Sequence, residues 1–565
     1  MSQPENEKYG VEPLGDSSGD DKHHGFTTQV QPVHSSPDDA KRTRRELKPR
    51  HVQMMAISGA IGTGLFASTP CSSRAGAALK RAGPLGLLLG YGAFGSITWM
   101  TFNAMGEMVC YLPVDGSFIT FAYRFVDPSF GFALGWLYCY NAACVVAAEI
   151  TAVASMVNFW NSSINNAAWC GMSLAVVFGL VSSPELEMTD VRKNLLGAKY
   201  FGEGEFVLSI FKVLLILGLL IFTLITMSGG NPLHHAFGFE YWNNPGPMVE
   251  YLTSGSLGRF AGFWSTLIQA AFAYGGPDYI SNAAAECKSP RRVMPTVFKR
   301  VIVRLLVFYI LGVLAVSFND PDLGGSAPGA GSSPFVLAAV RMGIPALPDI
   351  INAVIMTSAL SNGIANCFSA SRSLYALALS GNAPAILKTT PRGVPIYCVT
   401  VVCAVGALCF LSVSNSSATV FTWITNLTGS GNLLLFGLFH VIYIRWYHGM
   451  RAQGHDRNDL PYRIRGQLAM SYIALIGYLV ILLTNGFSVF VKGHWSYQDF
   501  LFDYLSIVFF LVPWIGHMIW RRSFCPIPIG DIDVTTGSEE VEAQDQLPSP
   551  EANTVVGKLN AWLWG

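Results

Sequence analysis

Charge is what this chain has least of. Only 13% of its 565 residues are Asp, Glu, Lys or Arg, where soluble domains carry about 25%. Hydrophobic residues make up 51%, and together these values exclude an ordinary soluble domain. Lys plus Arg and Asp plus Glu are both 36, so no excess of one sign points to nucleic acid. The eleven cysteines have neither metal-ligand nor disulfide-framework spacing. Cys110, Cys139, Cys144, Cys367 and Cys398 fall in apolar stretches, as small buried hydrophobes do. A phosphate-binding Gly-x4-Gly-Lys-Ser/Thr, a zinc-binding His/Cys cluster and a nucleophile elbow are all missing. The chain therefore reads as no enzyme. Residues 1–46 are polar and lack the apolar core of a cleavable signal. They read as a disordered cytosolic tail, and 530–555, with Glu539, Glu540, Glu542 and Asp545, reads likewise.

What the sequence does have is a succession of long apolar runs. At about 20 residues per span, about twelve are counted. Their cores lie near 51–69, 85–112, 130–159, 167–183, 205–228, 261–285, 300–318, 350–379, 395–414, 418–445, 468–486 and 501–520. This predicts an all-α integral membrane protein. Basic residues set its orientation. They precede span one (Lys41, Arg42, Arg44, Arg45, Lys48, Arg50) and follow spans six, eight, ten and twelve, ending at Arg521 and Arg522. All these lie on one side, with both termini cytosolic. Arg74, Lys80 and Arg81, after span one, go against that pattern. Beside a first span, the basic run at 41–50 reads as topology and lipid contact rather than a nucleic-acid patch.

Two of the runs contain residues that do not suit a continuous helix. Ser58-Gly59-Ala60-Ile61-Gly62-Thr63-Gly64-Leu65-Phe66 lies in span one, and Ala273-Tyr274-Gly275-Gly276-Pro277-Asp278-Tyr279 in span six. Each glycine weakens a helix by roughly 1 kcal/mol relative to alanine, and an interior proline by about 3 kcal/mol. Loosened backbone at membrane depth is tolerated only where it lines a cavity within protein. Small residues also serve close helix packing. Breaks in spans one and six together, however, are what an inverted repeat of five spans plus five produces. Freed amides attract a carboxylate and freed carbonyls an ammonium, so the predicted ligand is a zwitterionic small solute.

The ordered series LKPRHVQMMAISGAIGTGLF, Gly106-Glu107-Met108, YLPVDGSF, FVDPSFGFALGW, YFGEGEFVLSIFKV, GPDYISNAAAECKSPRRVMP and PRGVPIY resembles the fungal amino-acid permeases. These form the yeast amino acid transporter family of the amino acid–polyamine–organocation superfamily. The resemblance implies a leucine-transporter-like fold of twelve helices, with repeats of spans one to five and six to ten. A permease domain over 47–524 would then lie between cytosolic tails at 1–46 and 525–565. It also implies proton-driven uptake of amino acids across the plasma membrane, with no cofactor beyond the coupling proton. An amino-acid sensor with little transport, and an exchanger or polyamine-type transporter of the same superfamily, stay open beside it. Carried over, Thr63 and Gly64 hold the substrate carboxylate, and Ala60 and Ile61 offer carbonyls to the ammonium. Phe272 is an aromatic gate, and Tyr274, Gly275 and Gly276 complete the ammonium side. Asp278 stands where relatives often carry Glu. Two stretches, 67–84 and 181–198, are longer than the family pattern, and Ala285-Glu286-Cys287 departs from its usual Gly-Glu-Ala.

Charge inside a membrane is costly and marks function. Lys212 in span five resembles the lysine that proton-coupled relatives carry in place of a sodium site, and Glu149 sits mid-way along span three. These two are the proton-coupling candidates. Glu107, Asp278 and Glu286 are the gating candidates, with Glu107 expected to meet basic loop residues. Of the polar residues on span eight, Asn362 is the side-chain-selectivity candidate, and His440 reads as a packing residue. The expected partners are an amino acid, membrane lipid and, on Lys8, Lys22 or Lys41, the ubiquitin machinery, with no nucleic acid.

Overall fold

The computed structural model describes Gln53, Gly64 and residues 78–538, apart from 115, 161–162, 183–196, 245, 285–286, 288–289, 319–332, 392–393 and 414–416. Apart from a one-residue bridge at Cys287, no strand occurs among the described residues. The chain runs through α1 (Ala78–Tyr111), α2 (Ser117–Phe125), α3 (Pro128–Val157), α4 (Asn166–Ser182) and α5 (Gly197–Met227). Next come α6 (Gly255–Ala273), α7 (Pro277–Ala284), α8 (Pro290–Ser317), α9 (Pro334–Arg341) and α10 (Leu347–Leu379). It ends with α11 (Ile396–Gly406), α12 (Ser417–Ala452), α13 (Gln467–Leu483) and α14 (Tyr497–Arg521). Eight described helical segments are long and apolar enough to cross a bilayer: α1, α3, the Phe206–Met227 part of α5, α8, α10, α11 with its 3-10 continuation to Val413, α12 and α14. α4 and α13 are apolar but have 17 residues each. This is a multi-pass membrane protein.

Burial divides these helices into core and rim. The apolar stretch of α3 is 78% enclosed by protein and that of α12 is 72%, against 17% for α14 and 28% for α5. α3 can be central because it is apolar on every side and its buried positions include Ala142, Ala143, Ala147, Ala148, Ala152 and Ala154. Such small residues let neighbouring backbones come close, and α3 lies against α10, α12, α14 and α11. Its start is fixed by sequence: Pro128 opens the first turn, and Asp127 Oδ2 accepts from the amides of Ser129 at 3.0 Å and Phe130 at 3.1 Å. A carboxylate there caps the helix and complements its positive end.

Hydropathy did not reveal α2 or α9, which are too short to stand out as apolar runs. α1 also begins earlier than span two. Ala78–Ala82 is helical, then Gly83 at φ 72° and Pro84 bend the chain. Leu85 N donates to Pro247 O at 2.9 Å and Val249 N to Ala82 O at 3.2 Å, so the kink is held by the loop before α6. The rest of 67–84 and most of 181–198 lie outside the described residues.

A second difference concerns the C-terminal side. Composition predicts a solvated tail from 530, yet Ile532 and Val534 are buried. Ile527 N donates to Val126 O at 3.0 Å. The Arg445 guanidinium on α12 donates to Phe125 O at 2.6 Å and also to Ile527 O. Arg124 on α2 donates to Thr536 O at 2.9 Å. The segment 526–538 therefore straps the ends of α2 and α12 together.

Candidate functional site

The break in span six is present. Tyr274 leaves the helical region at φ −83°, ψ 81°. Gly276 has φ 120°, a conformation that side chains oppose, and α7 starts at Pro277. In an unbroken helix the carbonyls of Ala270, Ala271, Phe272 and Ala273 would bond to the amides of 274 to 277. Only the first does so, with Tyr274 N donating to Ala270 O at 2.9 Å. Gly275 N turns to Ala273 O at 3.1 Å, Gly276 N serves the Asp278 carboxylate, and Pro277 has no N–H.

Side chains from other helices take two of the released carbonyls. Asn432 Nδ2 on α12 donates to Ala271 O at 3.1 Å, and the Tyr309 hydroxyl on α8 donates to Ala273 O. No donor among the described residues reaches the Phe272 carbonyl. Asp278 lies in the first turn of α7. The amides of Gly276, Asp278 and Tyr279 and the Tyr138 hydroxyl face its carboxylate. The positive end of this half-helix is thus already occupied by the protein's own anion.

Against the break lies a cavity of about 550 Å³, counting its open mouth. It brings together Gly64, Glu149, Phe272, Gly275, Gly276, Asp278 and Asn362 from the sequence candidates. Gly64 fits there because it has no side chain. A Cβ on it would fall 2.6 Å from the Cα of Ala273, so the backbones of spans one and six meet at this point. Glu149 is buried, and its Oε1 accepts from Asn362 Nδ2 at 2.7 Å. Asn366 Nδ2 donates in turn to Asn362 Oδ1 at 3.1 Å. Among the described residues that line it there is no lysine or arginine.

Other candidates lie elsewhere. The Tyr274 ring does not line the cavity. It packs 4.3 Å from the Tyr309 ring, with its hydroxyl donating to Tyr91 O at 3.2 Å. Only its backbone belongs to the break. Lys212 is buried in α5 and does not line the cavity. Glu107 is buried near the far end of α1, where it pairs with Arg457 and accepts from Tyr443 Oη at 2.6 Å and Ile464 N at 2.8 Å. That clamp ties α1 to α12 and the loop after it. His440 is fully buried and meets Thr101 Oγ1 at 3.0 Å, away from the cavity. Ala60, Ile61, Thr63 and Glu286 lie outside the described residues. Sequence reasoning missed Asn141, Asn432 and Tyr138. Asn141, Val145 and Glu149 recur every four residues along α3, a stripe on one helix face that was legible but not used.

A broken span against a buried polar cavity, inside a bundle of membrane-crossing helices, defines a transporter rather than an enzyme. The chain belongs to the amino acid permease family, whose description matches residues 51–526. It is 37% identical over 538 residues to the proline-specific permease of Emericella nidulans, covering 92% of this chain and 94% of the relative. The proline-specific permease of Saccharomyces cerevisiae is 37% identical over 536 residues, covering 92% and 82%. The basic amino-acid permease of the same yeast is 33% identical over 541 residues, covering 93% and 91%. Among solved structures, a manganese transporter of Eremococcus coleocola superposes with a TM-score of 0.52 at 13% identity, over 86% of this chain and 98% of that one. At that identity the likeness concerns fold alone.

Proposed function

We propose that this chain is a proton-coupled permease that imports amino acids across the plasma membrane by alternating access. The observation that carries the reading is the cavity at the span-six break. It is lined by Phe272, whose carbonyl has no donor among the described residues, and by Glu149 and Asp278, and it meets span one at Gly64. The arrangement we propose is twelve spans in a five-plus-five repeat. The eight long segments, α4, α13, the α6–α7 pair and span one make up that number. Both tails, 1–46 and 525–565, then lie in the cytosol, the second beginning with the strap under α2 and α12.

The substrate we propose is a small neutral amino acid, proline first. Two relatives at 37% identity are named proline-specific, and a cavity with two acids and no basic lining residue disfavours dicarboxylic amino acids. Glu149, buried and mid-span, is the proposed proton carrier. Lys212 supports the fold of the site from α5. The substrate binds with its carboxylate at Thr63 and Gly64 and its ammonium at the carbonyls of Ala60, Ile61 and Phe272. Phe272 closes over it, and Asp278, Glu286 and Glu107 hold the gates.

The test is uptake of labelled amino acids in yeast lacking its own permeases. Saturable proline uptake that collapses with a protonophore is the expected result. Uptake indifferent to the protonophore sinks the coupling, and signalling without uptake turns the reading to a sensor.

A further inference from the structure

The direction of the hydrogen bonds around Asn432 is fixed by where they end. A peptide carbonyl only accepts, so Asn432 must present its amide nitrogen to Ala271 O, at 3.1 Å. Its Oδ1 is then the acceptor for Asn141 Nδ2 at 2.7 Å. Three helices, α3, α12 and α6, are joined by this relay at the edge of the cavity, one turn before the break. Ala271 is the carbonyl that Gly275 N would hold if α6 continued.

We propose that Asn432 is a positioning residue for amino-acid binding. By holding the Ala271 carbonyl, it keeps α6 from winding onward through Gly275 and leaves the Phe272 carbonyl open to the substrate ammonium. Without Asn432, the buried Ala271 carbonyl loses its partner. Leaving such a group unsatisfied is unfavourable, and the donor that a continuous helix supplies to it is Gly275 N. Taking it rewinds the turn and carries the Phe272 carbonyl away from the cavity. The inference rests on the reading of this cavity as the amino-acid site.

Two substitutions distinguish positioning from bulk. Asn432→Ala removes the donor outright. Asn432→Asp keeps the shape but can donate to a carbonyl only when protonated. The ionisable groups around the cavity are Glu149 on α3, Asp278 and Tyr279 on α7 and Tyr138 on α3, none of them cationic. A new carboxylate among them is disfavoured in its charged form and gains a proton readily as pH falls.

The measurement is binding of labelled proline to the purified full-length chain in detergent, where no proton gradient exists. The expected result is affinity weakened about tenfold in Asn432→Ala, the size of one hydrogen bond lost at a binding site. Asn432→Asp should be as weak at neutral pH and recover towards wild type at acid pH, judged as a ratio to wild type at each pH. Wild-type affinity in both variants overturns the proposal. So does an Asn432→Asp defect that stays constant with pH, since that is what a purely structural role produces. If wild type itself binds no amino acid, the site reading falls and takes this inference with it.

Discussion

Gly64 shows how far one residue's absence of atoms can decide a site. Within a helix, alanine is better than glycine by about 1 kcal/mol, so propensity alone predicts that Gly64→Ala is stabilising. The structure predicts the opposite sign, because the added Cβ would meet the Ala273 backbone at 2.6 Å and backbone does not yield as a flexible side chain does. Relief requires spans one and six to separate beside the cavity. Gly64→Ala should reduce proline uptake at least about tenfold, the loss that a steric cost of about 1.4 kcal/mol produces, with surface expression unchanged. Normal uptake by that variant would show that the two spans do not meet as described. At this scale the sequence was informative where chemistry is scarce. A carboxylate in an apolar helix (Glu149) and Gly-Gly-Pro in a span are visible without coordinates. The direction of the Tyr274 ring, away from the cavity and onto Tyr309, depends on the φ and ψ at which the chain leaves α6, and sequence does not set those. Asn432 escaped notice for a different reason. Its value comes from a carbonyl 161 residues away, and no local pattern records that.

Among elements, the long spans were legible because a bilayer admits only helices with satisfied backbones, and about 20 apolar residues suffice to declare one. The pieces that follow no such rule were not. α2 lies between two spans and is recognisable only from what it packs on, namely α3, α12 and α7. The strap at 526–538 was hidden by its composition, since Asp531 and Asp533 flank Ile532 and make a docked segment look solvated. Its hold on the molecule is concentrated at Arg445, half-buried, which bonds carbonyls on both sides of the junction, Phe125 O and Ile527 O. Hydrogen bonds to a charged group contribute about 1.5–3 kcal/mol. Arg445→Ala should therefore lower the melting temperature of the purified protein by a few degrees and speed proteolysis after α14. The exposed Arg465→Ala is the control and should change neither. A melting curve for Arg445→Ala that overlays wild type would mean the strap is not held through this side chain.

At the scale of the whole molecule, proton coupling as proposed has to run through the acids of the cavity, since its described lining residues include no lysine or arginine. Two carboxylates, Glu149 and Asp278, line one space, but they are not equivalent. Asp278 accepts from the amides at the start of α7 and has its place in the break itself. Glu149 accepts from the Asn362 amide through Oε1, in the middle of the most enclosed helix. On the reading proposed here, Glu149 is the group that takes up and releases the proton. The alternating-access reading then makes a directional prediction. Wild-type uptake should rise as the outside is acidified. Glu149→Gln keeps an acceptor for Asn362 but cannot change charge, so its uptake should be flat with pH and should not concentrate proline. Exchange of internal for external proline needs no net proton movement, and it should survive in the same variant. Counterflow in proteoliposomes measures the exchange, and accumulation against an imposed pH gradient measures the coupling. Loss of both would make Glu149 part of binding rather than coupling, and retention of both would move the proton elsewhere, with Lys212 the next group to test.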